Sequence, residues 1–353
     1  MTSMNRNLAG DALKVLSILM VVFLHSGNGL PSHFSASSGG ADDLALLFMH
    51  WVSNGVTRVA VPIFFMLSGY FMMLKIMKSG SFSYRSLLQD RARTVLIPYL
   101  LWSLCVFVLF ALIQIPEFTH RYFNRSIIWD MSWYEVAKTV FVEPIPYQLW
   151  FLRDLFVIFV ALPVLLKLLE RCRMLFFPVL LGLWCSDFNF GIATEGILFF
   201  SIGLYGAGRL PRIATPGELS VLLSLWFAMA ILAVFLRLSD VYGGLLAYKV
   251  QILIGVFTLV QMARAGWFDW LARYAAYAFP VFLFHEPALM LLKKVAFAVT
   301  TRSAVTDSLL FLGMPVIVIL FSIVAARIAI KFGGWFYVFL VGGRIRHVPE
   351  IRS

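Results

Sequence analysis

The sequence predicts an all-α integral membrane protein: about ten transmembrane helices around an intramembrane cavity, with both termini cytoplasmic. Three observations predict it. The chain is 61% hydrophobic and 13% charged over 353 residues, with a mean hydropathy of +0.87, more apolar surface than a soluble domain buries. Apolar stretches recur at lengths that can cross a hydrocarbon core of about 30 Å. Lysine and arginine gather on alternate connections.

The ten segments lie near 12–30, 59–78, 95–115, 149–168, 174–190, 194–208, 218–238, 244–262, 274–297 and 307–332. The fifth and sixth are short and closely spaced, so they form a tight hairpin or two half-spans entering a cavity. With the N-terminus in the cytoplasm, 19 of the 29 basic residues fall on inner segments, 9 on outer segments and one, Arg153, within a span. That asymmetry sets the orientation. The first apolar stretch runs too long for a cleavable signal peptide and lacks a small-residue cleavage site. Residues 1–353 read as a single transmembrane domain with no appended soluble domain. Two outer loops are long, 31–58 and 116–148. Loops of that length usually have a role, here a cover over an outward-facing cavity.

Several function classes fall away. Cys105, Cys172 and Cys185 show neither metal-ligand spacing nor a disulfide framework. A net charge of +11 would suggest nucleic acid in a soluble protein; here anionic lipid facing the inner loops accounts for it. The absence of an internal repeat gives no support to an inverted-repeat transporter.

The first span holds Lys14 near its start and His25 near its end. Eleven helical residues turn through three turns plus about 20°, placing both on one face about 16 Å apart. Ionisable groups at membrane depth face protein-lined cavities, so His25 is a functional candidate. The alternative is an interhelical hydrogen bond. Arg91 and Arg93 flank Ala92 where the third span enters the membrane. They are either positive-inside anchors or a phosphate-binding pair, since guanidinium groups grip phosphate bidentately. Ser68-Gly69 in the second span would let helices approach closely, and Pro62 would kink that span. Arg58, at its outer rim, would meet substrate or headgroups. Trp150 is an interfacial anchor or a platform for a sugar ring, and Arg153-Asp154 beside it is a neutralising pair. His285-Glu286-Pro287 in the ninth span has no second histidine at zinc spacing, leaving a catalytic or a structural role for His285.

Asp11, Lys14 and His25, the run Phe64-Phe65-Met66-Leu67-Ser68-Gly69-Tyr70, Arg91-Ala92-Arg93 with Pro98-Tyr99, Leu149-Trp150-Phe151-Leu152 and His285-Glu286-Pro287 occur in this order. Together they resemble the acyltransferase-3 family, bacterial membrane O-acyltransferases of envelope glycans. The resemblance covers essentially the whole chain. It implies a catalytic histidine at His25 and acyl-donor handling at Arg91 and Arg93, with Lys14 where the family usually has arginine. Lysine keeps the charge without the fork. It further implies acyl-CoA, most often acetyl-CoA, as donor substrate from the cytoplasm, with no bound cofactor or metal. The acceptor would be O-antigen, capsule, exopolysaccharide or a lipid-linked sugar; the location, the bacterial inner membrane. Arg58, Trp150, Arg153, His285 and Glu286 would be acceptor-side or supporting residues. The competing reading is a transporter or flippase of envelope lipids or small metabolites, which explains the spans and the basic inner face but not the joint occurrence of these motifs.

Overall fold

A computed structural model of the chain describes residues 3–30, 40–79, 83–122, 127–301 and 303–343. Among them the architecture is helical, with one isolated antiparallel bridge, Asn189–Ala193. In chain order the α-helices are α1 (Ser3–Ser26), α2 (Gly40–His50), α3 (Ala60–Lys78), α4 (Tyr84–Arg91), α5 (Ile97–Ile113), α6 (Trp133–Phe141) and α7 (Trp150–Val160). Then come α8 (Leu162–Arg171), α9 (Arg173–Cys185), α10 (Thr194–Gly206), α11 (Pro216–Leu238), α12 (Gly244–Arg264), α13 (Ala275–Val299) and α14 (Ala304–Leu340), the last broken at Gly334.

Among the described residues, seven helical segments are long and apolar enough to span a membrane, or eight if the bent pair Tyr147–Val160 and Leu162–Arg171 counts as one. The remaining two of the expected ten segments are apolar but short, for a geometric reason. The fifth and sixth segments become α9 and α10, of 13 residues each. At 1.5 Å per residue such helices reach only about 20 Å. The outer loop at 31–58 is also corrected over its described part. Gly40–Lys78 is one helical run of 39 residues, irregular only at a π-turn, Trp51–Gly55, and a 3₁₀ turn, Val56–Val59. Pro62 sits in the first turn of α3, where its missing N–H costs nothing, and the irregular turns lie just upstream of it. The serine- and glycine-rich stretch at 35–39, residues 123–126 of the second loop, and Arg125, Arg302, Arg344, Arg346 and Arg352 of the charge count lie outside the described residues.

The chain divides into two compact units. The first comprises Met1–Ser81 and Leu165–Ala326. At its centre α3 and α10 cross where two glycines remove the side-chain layer. A Cβ on Gly69 would strike the Phe200 carbonyl oxygen, and one on Gly203 the Met66 carbonyl oxygen. This is the close approach that small residues allow between membrane helices. Phe65 lies over Gly196, and the Trp226 indole fills the space beside Gly255, joining α11 to α12. Helix α1 packs on α3, α12 and α13. Of its apolar window 61% is buried, against 28% for α11, so α1 runs through the interior of this unit while α11 shows much of its surface. Near its start Ala12 and Val15 pack on Leu271 of the 3₁₀ turn Asp269–Tyr274.

The second unit comprises Phe82–Val164 and Arg327–Ser353. Helix α6 opens with a capping box, Ser132 with Glu135, and the serine hydroxyl holds the exposed Glu135 carboxyl below its ordinary pKa. Helix α5 grips α6 through polar side chains. The Tyr99 hydroxyl donates to the Phe141 carbonyl at 2.9 Å, and Ser103 to that of Val140 at 2.7 Å.

Candidate active site

The C-terminal end of α1 brings buried polar side chains together. His25 and His285 are both buried, and their ring centroids lie 5.1 Å apart with planes tilted by 36°. Helix α13 turns His285 so that Nδ1 faces two backbone carbonyls of its own helix, Phe282 at 2.8 Å and Val281 at 3.1 Å. Carbonyl oxygens only accept, so Nδ1 carries the proton and Nε2 is the bare, accepting nitrogen. Nε2 is buried and has no hydrogen-bond partner among the described residues. The Asn28 amide lies 3.4 Å from Nδ1 of His25 and orients that ring.

Lys293 of α13 fixes the end of α1. Its ammonium donates to the carbonyls of His25 at 3.0 Å, Ser26 at 2.7 Å and Asn28 at 3.0 Å. Those are the carbonyls a helix C-terminus leaves unpaired, and a cation there is favourable. Ser26 also donates to the Phe311 carbonyl, 2.8 Å away. His25 is thus held by helix packing, a lysine cap and a serine tether. Arg58 and Lys293 both lie within electrostatic range of its ring.

Arg58 turns toward protein partners. Its Nε reaches the Tyr248 hydroxyl at 2.5 Å, and its Nη2 lies 3.6 Å from Oε1 of the buried Glu195. Glu195 accepts in turn from the Trp184 indole at 3.2 Å. Lys249 lies 4.8 Å over the same indole and pairs with Asp187 at 2.5 Å. Beside Tyr248 opens a polar cavity of about 370 Å³. His50, Asn54, Arg237, Asp240 and Tyr248 supply its hydrogen-bonding groups. Ser53, the neighbour of the lining residue Asn54, packs against Gly27 just past the end of α1.

The remaining sequence candidates lie elsewhere. Lys14, near the start of α1, pairs with Asp11 at 2.8 Å and lies 4.9 Å over the Phe71 ring. Arg91, Arg93, Trp150 and Arg153 belong to the second unit. Arg91 lies 4.7 Å over Phe159 with a buried, unpartnered Nε, and Arg93 is exposed. Trp150 meets Phe151 edge to face, and Arg153 pairs with Asp154 at 2.7 Å. Glu286 is buried beside His285 in sequence. Among the described residues no cluster of histidine, cysteine, aspartate and glutamate suits a metal ion. Sequence reading missed Asn28, Glu195, Tyr248 and Lys293. The one available signal was a basic or acidic residue inside or beside an apolar span.

Residues 7–327 match the sequence model of the acyltransferase-3 family, described as an acyltransferase domain. The chain belongs to this family. That membership makes it an acyltransferase and selects the enzyme over the transporter. It is also similar to the succinoglycan biosynthesis protein ExoH of Rhizobium meliloti (strain 1021), at 28% identity over 308 residues, 80% of this chain and 78% of that protein. A second relative, a serine/alanine racemase of Enterococcus gallinarum, is 27% identical over 146 residues, 41% of this chain and 18% of that protein. A match to so small a part of the racemase carries no argument about the reaction here. No solved structure matches.

Proposed function

We propose that this multi-pass membrane acyltransferase moves an acyl group, acetyl first among them, from a cytoplasmic coenzyme A thioester to a hydroxyl of an envelope polysaccharide or its lipid-linked precursor. The similarity to a succinoglycan biosynthesis protein favours an exopolysaccharide acceptor. One observation carries the reading: two buried histidines face each other at 5.1 Å, one with its tautomer fixed by backbone.

In the proposed reaction His25 takes the proton of the acceptor hydroxyl, a role suited to imidazole. The resulting oxygen attacks the thioester carbonyl. The C–S bond then breaks, the thiolate takes the proton from the His25 imidazolium, and the products are the O-acyl sugar and free thiol. Arg58 and Lys293 supply positive potential where the tetrahedral oxyanion forms, worth most where water is excluded. His285 offers Nε2 as a fixed hydrogen-bond acceptor for a hydroxyl or ring N–H. The cavity beside Tyr248 is the proposed seat of the sugar. The orientation places the α1 start in the cytoplasm and the His25 end outward, in the inner membrane.

Mass spectrometry of envelope polysaccharide tests this in cells lacking the gene and complemented with wild type or His25→Ala. Acyl substituents should be lost on deletion, return with wild type and stay absent with His25→Ala at equal membrane abundance. Unchanged acylation in the deletion strain would contradict the reading.

A further inference from the structure

At the opposite end of the first unit lies a second cavity, of about 320 Å³. Its walls are apolar: Leu13 of α1, Met66 and Phe71 of α3, Phe199 of α10 and Val256 of α12 are among them. It follows α12 from Leu253 to Arg264, eleven residues or roughly 16 Å of helix. Two arginines stand at one end. Arg264 donates through Nη2 to the Pro211 carbonyl at 2.8 Å, but its Nε and Nη1 are buried without a hydrogen-bond partner among the described residues. Arg209 lies beside it, exposed, 4.9 Å over the Tyr205 ring. Lys14 lies over the wall residue Phe71, outside the lining itself.

A guanidinium whose buried N–H groups point at nothing is costly unless an anion completes it. Arginine is the side chain that holds phosphate through paired N–H groups. The cavity therefore asks for a long, largely uncharged chain that carries an anionic phosphate ester at one end. The basic residues mark that end as cytoplasmic by the positive-inside rule, and the unit's histidines lie at the other end of α1.

We infer that this cavity seats the acyl donor, its uncharged arm lying along α12 and a phosphate on Arg264 with Arg209. The inference rests on the acyltransferase reading above. It gives the donor an entrance in the first unit, built on Arg264 and Arg209 rather than on Arg91 and Arg93. A phospholipid shares the same chemistry of apolar chain and phosphate, so the test must separate the two sources.

Gly206 makes the test clean. It lines the cavity, and a Cβ there meets no atom within 4 Å, so Gly206→Leu fills the space without disturbing the crossing at Gly203. Gly182, in α9 and outside the cavity, has the same open surroundings, which makes Gly182→Leu the control. Purified full-length protein in nanodiscs would be titrated with tritiated acetyl-CoA, and separately with a spin-labelled phosphatidic acid. Gly206→Leu and Arg264→Gln should each weaken acetyl-CoA binding by about tenfold or more, the size of a lost charge-assisted contact. Gly182→Leu should bind as wild type. Wild-type acetyl-CoA affinity in both cavity variants overturns the inference and leaves the reaction at His25 standing. Loss of only the phospholipid signal in Gly206→Leu also overturns it and marks a lipid site. Failure of the wild-type protein to bind acetyl-CoA would overturn the donor reading itself.

Discussion

The two ends of the first unit are built on opposite rules. At the C-terminal end of α1, nearly every polar group is tied to another: Lys293 to three carbonyls, Arg58 to Tyr248 and Glu195, Lys249 to Asp187. The main exception is Nε2 of His285. At the other end an apolar cavity holds Arg264 with two nitrogens unmatched. A tied network fixes geometry and resists change, as preorganised electrostatics requires. An untied guanidinium over an apolar slot waits for a ligand. The contrast teaches that chemistry and donor capture can be separated along one helix bundle, and that each end can be broken alone.

After His25 itself, the largest effect should come from the exception at the tied end. His285→Phe keeps a ring and removes the acceptor nitrogen. It should lower kcat by about 10²-fold, the lower range for a general acid–base partner, with the KM for donor unchanged. His285→Gln, which restores an acceptor at similar reach, should recover part of the rate. Wild-type kcat in His285→Phe would make His285 a packing residue only.

Arg58→Met should act next, and through stability as well as rate. It would leave Glu195 buried with the Trp184 indole, a neutral donor, in place of a cation. Orphaning one member of a buried ion pair costs on the order of 3 kcal/mol, discounted here because Arg58 is 27% exposed. Thermal unfolding in detergent should show a clearly lowered midpoint. An unchanged midpoint would mean that neither the Glu195 nor the Tyr248 contact supports the fold.

The smallest effect belongs to Lys14→Ala. Lys14 is 40% exposed and already paired with Asp11. Exposed ion pairs are worth about 0–1 kcal/mol, so stability should barely move and donor KM should rise at most a few fold. A loss of binding as large as that of Arg264→Gln would restore Lys14 to the centre of the donor site.

How much of this was legible follows from distance along the chain. His25 stands out as an ionisable group in an apolar span, and the Ser68-Gly69 pair announced its close crossing. Arg58 was visible too, but its partner Tyr248 lies 190 residues away, and Lys293 caps α1 from 268 residues away. Helical periodicity relates only neighbours on one helix, so neither pairing has a signal in spacing. The shortness of two segments was hidden for a different reason. Hydropathy sees apolar composition but not length between breaks, and the turn around Asn189 and Gly191 cuts the fifth and sixth segments to 13 residues each. The helix at Gly40–His50 was hidden because Asp42 and Asp43 at its start resemble loop polarity, although acidic residues suit a helix N-terminus.

The account's central claim is that acyl transfer occurs at His25. Thiol release from acetyl-CoA by purified protein, with acceptor polysaccharide present and donor saturating, measures it most directly. His25→Ala should bind donor as wild type yet release thiol about 10²–10⁴-fold more slowly. Release at the wild-type rate would place the chemistry elsewhere in the molecule.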